Sequence, residues 1–183
     1  LVVGSGGREH ALCWAIAKSS KCKELFYAPG NAGIAQVASC VDITAEDLPG
    51  IVNFSKERNV DLVVIGPEGP LVDGLVDALT ANGIKAFGPT KAAAHLEGSK
   101  AFMKDFFSKY NIPTATYGRF SDFKKAVTYV KNIGAPIVVK ASGPAAGKGV
   151  ILCDSNEQAI RALKDIIKDR VFGTAGDEVV IEE

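Results

Sequence analysis

The stretch VVKASGPAAGKGVILC, Val138 to Cys153, sets two lysines around a glycine-rich loop. Ammonium groups and free backbone N–H groups are the donors that proteins turn toward phosphate oxygens. A P-loop would read G-x-x-x-x-G-K-[ST] between a strand and a helix. Here Gly143 to Lys148 is one residue short, Gly149 stands where a hydroxyl would hold magnesium, and the apolar run VILC follows. Strand, glycine loop and returning strand make a hairpin instead. Its tip, with Gly143, Gly147, Lys148 and Gly149, can fold over phosphates as the glycine-rich loop of protein kinases does. Val138 and Lys140 alternate onto one face of the first strand, so the lysine can point beneath that cover. An ordinary hairpin with a solvated Lys148 is the competing reading. Lys140 argues against it, because a charge inside PIVVKA is costly to bury unless it meets an anion.

A second glycine loop, GSGGREH at residues 4 to 10, follows the first apolar run and opens a helical pattern. Glycines there let backbone N–H groups approach an anion at a helix N-terminus. A dinucleotide site requires G-x-G-x-x-G and an acid about twenty residues later. Gly4 and Gly6 match, but Glu9 takes the third glycine position, and APGNAG stands where the acid belongs. What remains is an anion site built from Gly6, Gly7, the Arg8 guanidinium, the Glu9 carboxylate and the His10 imidazole. The alternative stays open that Arg8 and Glu9 are a solvated first turn and His10 a packed histidine. Two further loops leave the same sheet edge, PGNAG with Asn31 and GPEGPL with Gly66, Pro67 and Glu68. Ligands of open α/β sheets collect at that edge, and three polar loops favour a small phosphorylated one.

The elements that must position these loops follow from apolar spacing. Leu1 to Val3, Leu25 to Ala28, Leu62 to Ile65 and Ile84 to Phe87 read as buried strands, each ending at Gly or Pro. Between them GREHALCWAIAKS, DLPGIVNFSKER and PLVDGLVDALTANG repeat apolar residues every three or four positions. Thr44 with Asp47 resembles a capping box for the second of these helices. This βαβ series predicts a parallel sheet with helices on its faces. After FGPT the pattern changes to helices through Lys91 to Glu97 and Lys100 to Tyr110, a strand around Thr116 and a helix from about Ser121 to Asn132. Strands at Ile137 to Ala141 and Val150 to Cys153 follow, then a helix capped by Ser155 with Gln158, and a last strand. The fold class is therefore α/β, a Rossmann-like parallel-sheet domain followed by an α+β subdomain, with a boundary near residues 90 to 112.

Acidic and basic residues balance at 21 each, which suggests no nucleic-acid or membrane partner. Cys13, Cys22, Cys40 and Cys153 form no C-x-x-C pair, and three lie beside or within apolar runs. They read as reduced thiols of a cytosol-like compartment. No apolar stretch is long enough to span a bilayer. The chain lacks an initiator Met, starts inside LVVG and stops at EVVIEE, so both ends read as cut. The expected location is cytoplasmic, with an organelle left open because the amino terminus is missing. No Ser-His-Asp or Cys-His constellation for nucleophilic catalysis is evident.

With these pieces placed, the sequence resembles the phosphoribosylamine-glycine ligases (glycinamide ribonucleotide synthetases) of the ATP-grasp superfamily. The resemblance runs through GSGGREHAL, APGNAG, VVIGPEGPLVDGL, FGPTKAAAHLEGSKAFMKDF, IPTA, APIVVKASGPAAGKGV and VVIEE. It implies an amino-terminal Rossmann-like domain at 1–98, a connecting helix at 99–112 and an incomplete ATP-grasp lid subdomain at 113–183. It places Gly6, Gly7, Arg8, Glu9, His10, Asn31, Gly66, Pro67 and Glu68 near 5-phosphoribosylamine. Lys100 and Lys140 would meet ATP phosphates, Gly143, Gly147, Lys148 and Gly149 would cover them, and Glu182 and Glu183 would belong to the hinge strand against adenine. Read alone, Lys100 is a solvated helix charge and the two glutamates a frayed terminus; only the resemblance promotes them. The implied reaction joins glycine to 5-phosphoribosylamine through a glycyl phosphate, with ATP and magnesium, the metal ligands lying outside this stretch. Another ATP-grasp ligase, such as a carboxylase, and a non-catalytic nucleotide-binding module are the alternatives. Fusion to further purine-pathway domains is compatible with the resemblance. Two departures stand out: Pro144 where an aliphatic residue is usual, which stiffens the loop, and Gly69 where Ala or another small apolar residue is usual.

Overall fold

Strand β1 (Val2–Gly4) lies at the centre of a five-stranded parallel sheet because every residue of it is buried and apolar or glycine. Its neighbours are β2 (Phe26–Pro29) on one side and β4 (Val63–Ile65) on the other, with β3 (Ser39–Cys40) and β5 (Ala86–Phe87) at the edges. The order β3-β2-β1-β4-β5 reverses direction at β1, so the loops after β1 and β4 leave the same carboxyl edge side by side. The computed structural model describes residues 1–145 and 147–183, which divide into two compact units, Leu1–Ala94 and His95–Glu183.

In the first unit, α1 (Gly7–Ala17) packs toward Val2, Tyr27 and Ile34 through Cys13. The other face is built on Val3, Ala28, Val63 and Ile65, against Ile51 and Val52 of α2 (Leu48–Glu57) and Leu75, Val76 and Leu79 of α4 (Leu75–Ala81). Each such buried side chain contributes about 1.5–3 kcal/mol relative to exposure, which is what holds the helices to the sheet. The expected single helix over PLVDGLVDALTANG is two: α3 (Glu68–Asp73) ends at Gly74, whose φ of +98° breaks the helical path before α4 begins. The cap of α2 is also different from the sequence expectation. Asp47 itself is the N-cap, accepting the Gly50 N–H at 2.9 Å, and Thr44 lies upstream of it. The short β3 was not anticipated, since Ser39 and Cys40 are both exposed and carry no apolar alternation.

The second unit is an antiparallel four-stranded sheet in the order β6-β9-β7-β8, from β6 (Tyr117–Phe120), β7 (Ile137–Ala141), β8 (Val150–Cys153) and β9 (Val179–Glu182). The β7–β8 hairpin falls on the expected residues. Ile137, Val139 and Ala141 face inward against Ala126 and Val130 of α7 (Phe123–Ile133) and Ala159, Ala162 and Leu163 of α8 (Asn156–Leu163), which puts Val138 and Lys140 on the other face. Ser155 caps α8, accepting the Gln158 N–H at 3.3 Å, while the Gln158 side chain takes the Asp154 N–H. A π turn over Lys164–Lys168 continues the helix and buries Ile166. The strand expected around Thr116 starts one residue later. α5 (Lys91–Gly98) spans the division between the units, and α6 (Lys100–Lys109) lies within the second. All four cysteines are free thiols, Cys13 and Cys153 buried, Cys22 half-buried and Cys40 exposed.

Candidate functional site

In the first unit the loop after β1 is closed by its own helix. Gly6 is the N-cap of α1, and the Glu9 carboxylate turns back to accept the Gly6 N–H at 2.7 Å. Glu9 is 4% exposed, so the acid is spent on the loop it follows. Glycine is needed on both flanks: a Cβ at Gly4, whose φ is +132°, would lie 2.6 Å from Glu9 Cγ, and one at Gly66 would lie 2.5 Å from the same atom. Glu9 therefore fills the space between the loops after β1 and β4. Gly7 and Arg8 are exposed at the first turn of α1, where backbone N–H groups have no carbonyl four residues back. The Arg8 guanidinium donates to the Gly66 carbonyl and leaves much of its side chain in solvent.

Asn31 binds the third loop to the first. Its Oδ1 accepts from Gly33 N–H at 2.9 Å and Ile34 N–H at 3.0 Å, and its Nδ2 donates to the Ser5 carbonyl at 3.3 Å. His10 lies beneath Gly33, where a Cβ would approach its Cε1 to 2.8 Å. Pro67 caps α3 and Glu68 is the acid of its first turn. The nine expected residues of this unit thus lie on the loops after β1, β2 and β4 and in the first turns of α1 and α3 that two of those loops open. Arg8 and the first-turn N–H groups face outward, whereas Glu9 and Asn31 hold the loops in register.

In the second unit the site is assembled at the start of α6 and the base of the β7–β8 hairpin. Ser99 is the N-cap of α6 and its hydroxyl stands 3.2 Å from that of Ser142. Ser142 accepts the Ala101 N–H on its side chain at 3.1 Å and the Lys100 N–H on its carbonyl at 2.9 Å. Lys100 Nζ then donates to the Gly143 carbonyl at 3.2 Å. The loop base is also clamped from behind: Gly143 N–H donates to the Ala175 carbonyl at 3.0 Å, and a Cβ there would sit 2.7 Å from Ala175 Cα. At the far end Ala141 N–H bonds the Gly149 carbonyl, closing the hairpin. Between these points Gly147 has φ +77° with open space around it, and Lys148 is exposed.

Lys140 meets Glu182 through sheet register. Val138 pairs with Glu182 and Lys140 with Val180 across β7 and β9, so both charges project from one face. The two form an ion pair, and the second carboxylate oxygen of Glu182 is paired with Lys104 of α6. Burial, and then the ammonium groups of Lys104 and Lys100, hold Lys140 below the usual lysine range; burial alone does so for Lys100 and Lys104. Glu183, exposed at the end of the chain, donates its N–H to the Thr116 carbonyl at 3.3 Å. Sequence reasoning passed over Lys104 and Ser142. The i, i+4 spacing from Lys100 on one helix face was the available signal for Lys104. Ser142, a polar residue directly after a buried strand, gave none.

Comparisons with known proteins agree across both units. Residues 1–97 match the family described as phosphoribosylglycinamide synthetase, N domain, and residues 98–183 match the phosphoribosylglycinamide synthetase, ATP-grasp (A) domain. The chain is 53% identical over 185 aligned positions to a phosphoribosylamine–glycine ligase of Vibrio vulnificus, covering all of this chain and 43% of that protein. The crystal structure of a phosphoribosylamine–glycine ligase from Thermotoga maritima superposes with a TM-score of 0.80 at 31% identity, over all of this chain and 42% of the other. At 19% identity and a TM-score of 0.78, the biotin carboxylase domain of Hydrogenobacter thermophilus 2-oxoglutarate carboxylase, solved with MgADP and bicarbonate, shares the fold over 99% of this chain and 43% of that one.

Proposed function

The chain belongs to the phosphoribosylglycinamide synthetase family, and from that premise we propose that its residues serve the ATP-dependent joining of glycine to 5-phosphoribosylamine, a step of purine biosynthesis. The chain spans 43% of the curated relatives it matches, so the complete reaction is proposed for a polypeptide that contains these residues. The observation that carries the reading is that Lys100 donates to the Gly143 carbonyl at the loop base while Lys140, paired with the buried Glu182 carboxylate, feels the ammonium groups of Lys100 and Lys104. Positive charge exceeds negative charge there, in a setting of low dielectric, which suits a polyphosphate.

Glycine's carboxylate is a poor acyl donor. Transfer of the terminal phosphoryl group of ATP to a carboxylate oxygen makes an acyl phosphate; the amine nitrogen of 5-phosphoribosylamine then attacks the acyl carbon and phosphate leaves with the bonding electron pair. The protein must position the reactants and offset charge rather than supply a nucleophile. In this assignment Lys100 and Lys140 contact the phosphates of ATP, and Gly143, Gly147, Lys148 and Gly149 cover them. Glu182 and Glu183 belong to the strand beside the adenine. In the first unit the α1 first turn with Gly6, Gly7 and Arg8, together with His10, Gly66, Pro67 and Glu68, forms the phosphoribosylamine site, with Glu9 and Asn31 keeping its loops in place.

Magnesium would offset phosphate charge, and its ligands are proposed to lie in the part of the polypeptide beyond these residues; among the described residues no group of three or more His, Cys, Asp and Glu side chains comes together. We retain the division into an amino-terminal domain at 1–98, a connecting helix at 99–112 and a lid subdomain at 113–183 as a functional proposal. Among the described residues no helix is long and apolar enough to cross a membrane, and a cytoplasmic location with small-molecule partners is proposed with it.

A full-length polypeptide carrying these residues should form ADP only when glycine and 5-phosphoribosylamine are both supplied. ATP turnover indifferent to glycine would overturn the reading. The 183-residue chain alone should form no ADP.

A further inference from the structure

Lys104 is the most buried charged side chain of the second unit among the described residues, 4% exposed. It pairs with Glu182, donates to Thr114 Oγ1 at 2.6 Å and to the Ala115 carbonyl at 3.4 Å, and lies 5.6 Å from the Tyr117 ring. Two of its three donors go to Thr114 and Ala115, and the ammonium faces Glu182 Oε2 as an ion pair, an oxygen that has no hydrogen-bond partner of its own. At 4% exposed, Lys104 is shut off from a ligand by burial. Glu182, itself 7% exposed, gives one oxygen to Lys104 and the other to Lys140, whose side chain is 24% exposed. Lys100, at the start of the same helix, completes the group.

Charge counting gives the arrangement a meaning. With Lys104 present, the Glu182 carboxylate is already matched by a buried ammonium, and Lys100 and Lys140 are left as surplus charge at the hairpin base. Without Lys104 the same carboxylate, which already contacts Lys140 through one oxygen, would have Lys140 as its sole partner and cancel that charge. Burying an ion pair costs desolvation that a pair of apolar side chains would not, so stability gives little reason for Lys104 to be charged. A requirement for surplus positive charge beside it gives one.

We propose that Lys104 is a positioning residue for anion binding: by pairing with Glu182 it fixes that carboxylate and keeps Lys140 available to a polyphosphate that Lys104 itself never touches. The inference rests on the proposed function for the identity of the polyphosphate as ATP, but its core, the control of Lys140 by Lys104, does not.

Two measurements test it. In this chain, the Lys140 ammonium is titrated by lysine-selective NMR. Lys104→Met, which keeps the length and apolar stem, should move the Lys140 midpoint to higher pH, because a like charge is removed and Glu182 is left to Lys140 alone. Glu182→Gln should move it the opposite way, and it provides the readout should the methionine variant fail to fold. An unmoved midpoint in a folded variant would overturn the proposal. In the full-length polypeptide, Lys104→Met should raise the KM for ATP about tenfold, change kcat by less than about threefold, and leave the inhibition constant of adenosine nearly unchanged. Equal weakening of ATP and adenosine would make Lys104 merely structural and overturn the proposal. A full-length polypeptide without ATP-dependent activity would remove the assigned function, while the Lys140 titration would still decide the role of Lys104.

Discussion

The Glu9 carboxylate accepts the Gly6 N–H at 2.7 Å, so an acid three residues into α1 closes the loop from which the helix starts. Glu9 itself is buried while the Gly6 N–H can turn to water, so removing the acid loses the loop-closing bond and the packing of its side chain. Glu9→Ala should destabilise the first unit by about 0.5–1.5 kcal/mol, and Glu9→Gln, which still offers an amide oxygen, by less. Denaturant unfolding followed by near-ultraviolet circular dichroism compares the two.

Gly66 and Gly69 make opposite predictions although they are three residues apart. A Cβ at Gly66 would lie 2.5 Å from Glu9 Cγ, so Gly66→Ala should cost about 1–3 kcal/mol through forced displacement of the carboxylate. At Gly69, inside α3, a Cβ would meet nothing within 4 Å. Gly69→Ala should therefore stabilise by roughly 0.5–1 kcal/mol, the gain of alanine over glycine in a helix. Equal effects of the two substitutions in thermal unfolding would contradict the placement of Glu9.

Thiol reactivity should divide the cysteines by burial. Burial pushes the Cys13 thiol up to about 11 and raises Cys153 as well, so both are protonated and shielded at pH 8. Cys40 is exposed and Cys22 half-buried. Alkylation with iodoacetamide, read by peptide mass spectrometry, should modify Cys40 first and reach Cys13 and Cys153 only in denaturant.

Nucleotide affinity should fall as pH rises. Lys100 and Lys140 titrate below the ordinary 10.5 of lysine in the free protein, chiefly through burial. A bound polyphosphate favours the ammonium form and raises both values. The lysines' contribution is then full below the lowered free-state values and is lost as pH rises from there through the raised bound-state values, with proton uptake on binding in between. Calorimetric titration of the full-length polypeptide with ATP near pH 9, in two buffers of different ionisation enthalpy, should show uptake; proton release would contradict the arrangement.

Ser142 joins α6 to the hairpin base through its side chain and its carbonyl. Ser142→Ala keeps the carbonyl bond to Lys100 N–H but leaves the Ala101 N–H unpaired in a buried setting. The expected cost is about 1–3 kcal/mol, with faster amide hydrogen exchange at residues 100 to 103. Unchanged exchange there would show that the hydroxyl does not anchor the helix.

Much of this protein is local in origin. Apolar alternation set β7 and β8 to the residue, and three-to-four spacing marked the helices, because these signals depend only on which side of an element meets the core. The glycine loops were legible for the same reason, as each is a short run between periodic segments. Where local signals were weak or mixed, the reading failed: exposed Ser39 and Cys40 pair as β3 through backbone bonds alone, and one apolar period ran through Gly74, where the chain turns left-handed.

The sequence by itself determined the alternation of strands and helices, the change of pattern after Phe87, and the residue types able to hold phosphate. Only the tertiary structure decided their partners. Glu182 reaches Lys140 because β9 inserts between β6 and β7 with Val138 opposite Glu182, and it reaches Lys104 because α6 packs against that strand. The same inward packing turned Glu9 from a free carboxylate into the stay of its own loop. Charge pairing depends on register and burial between segments far apart in the chain, and no local spacing encodes that distance.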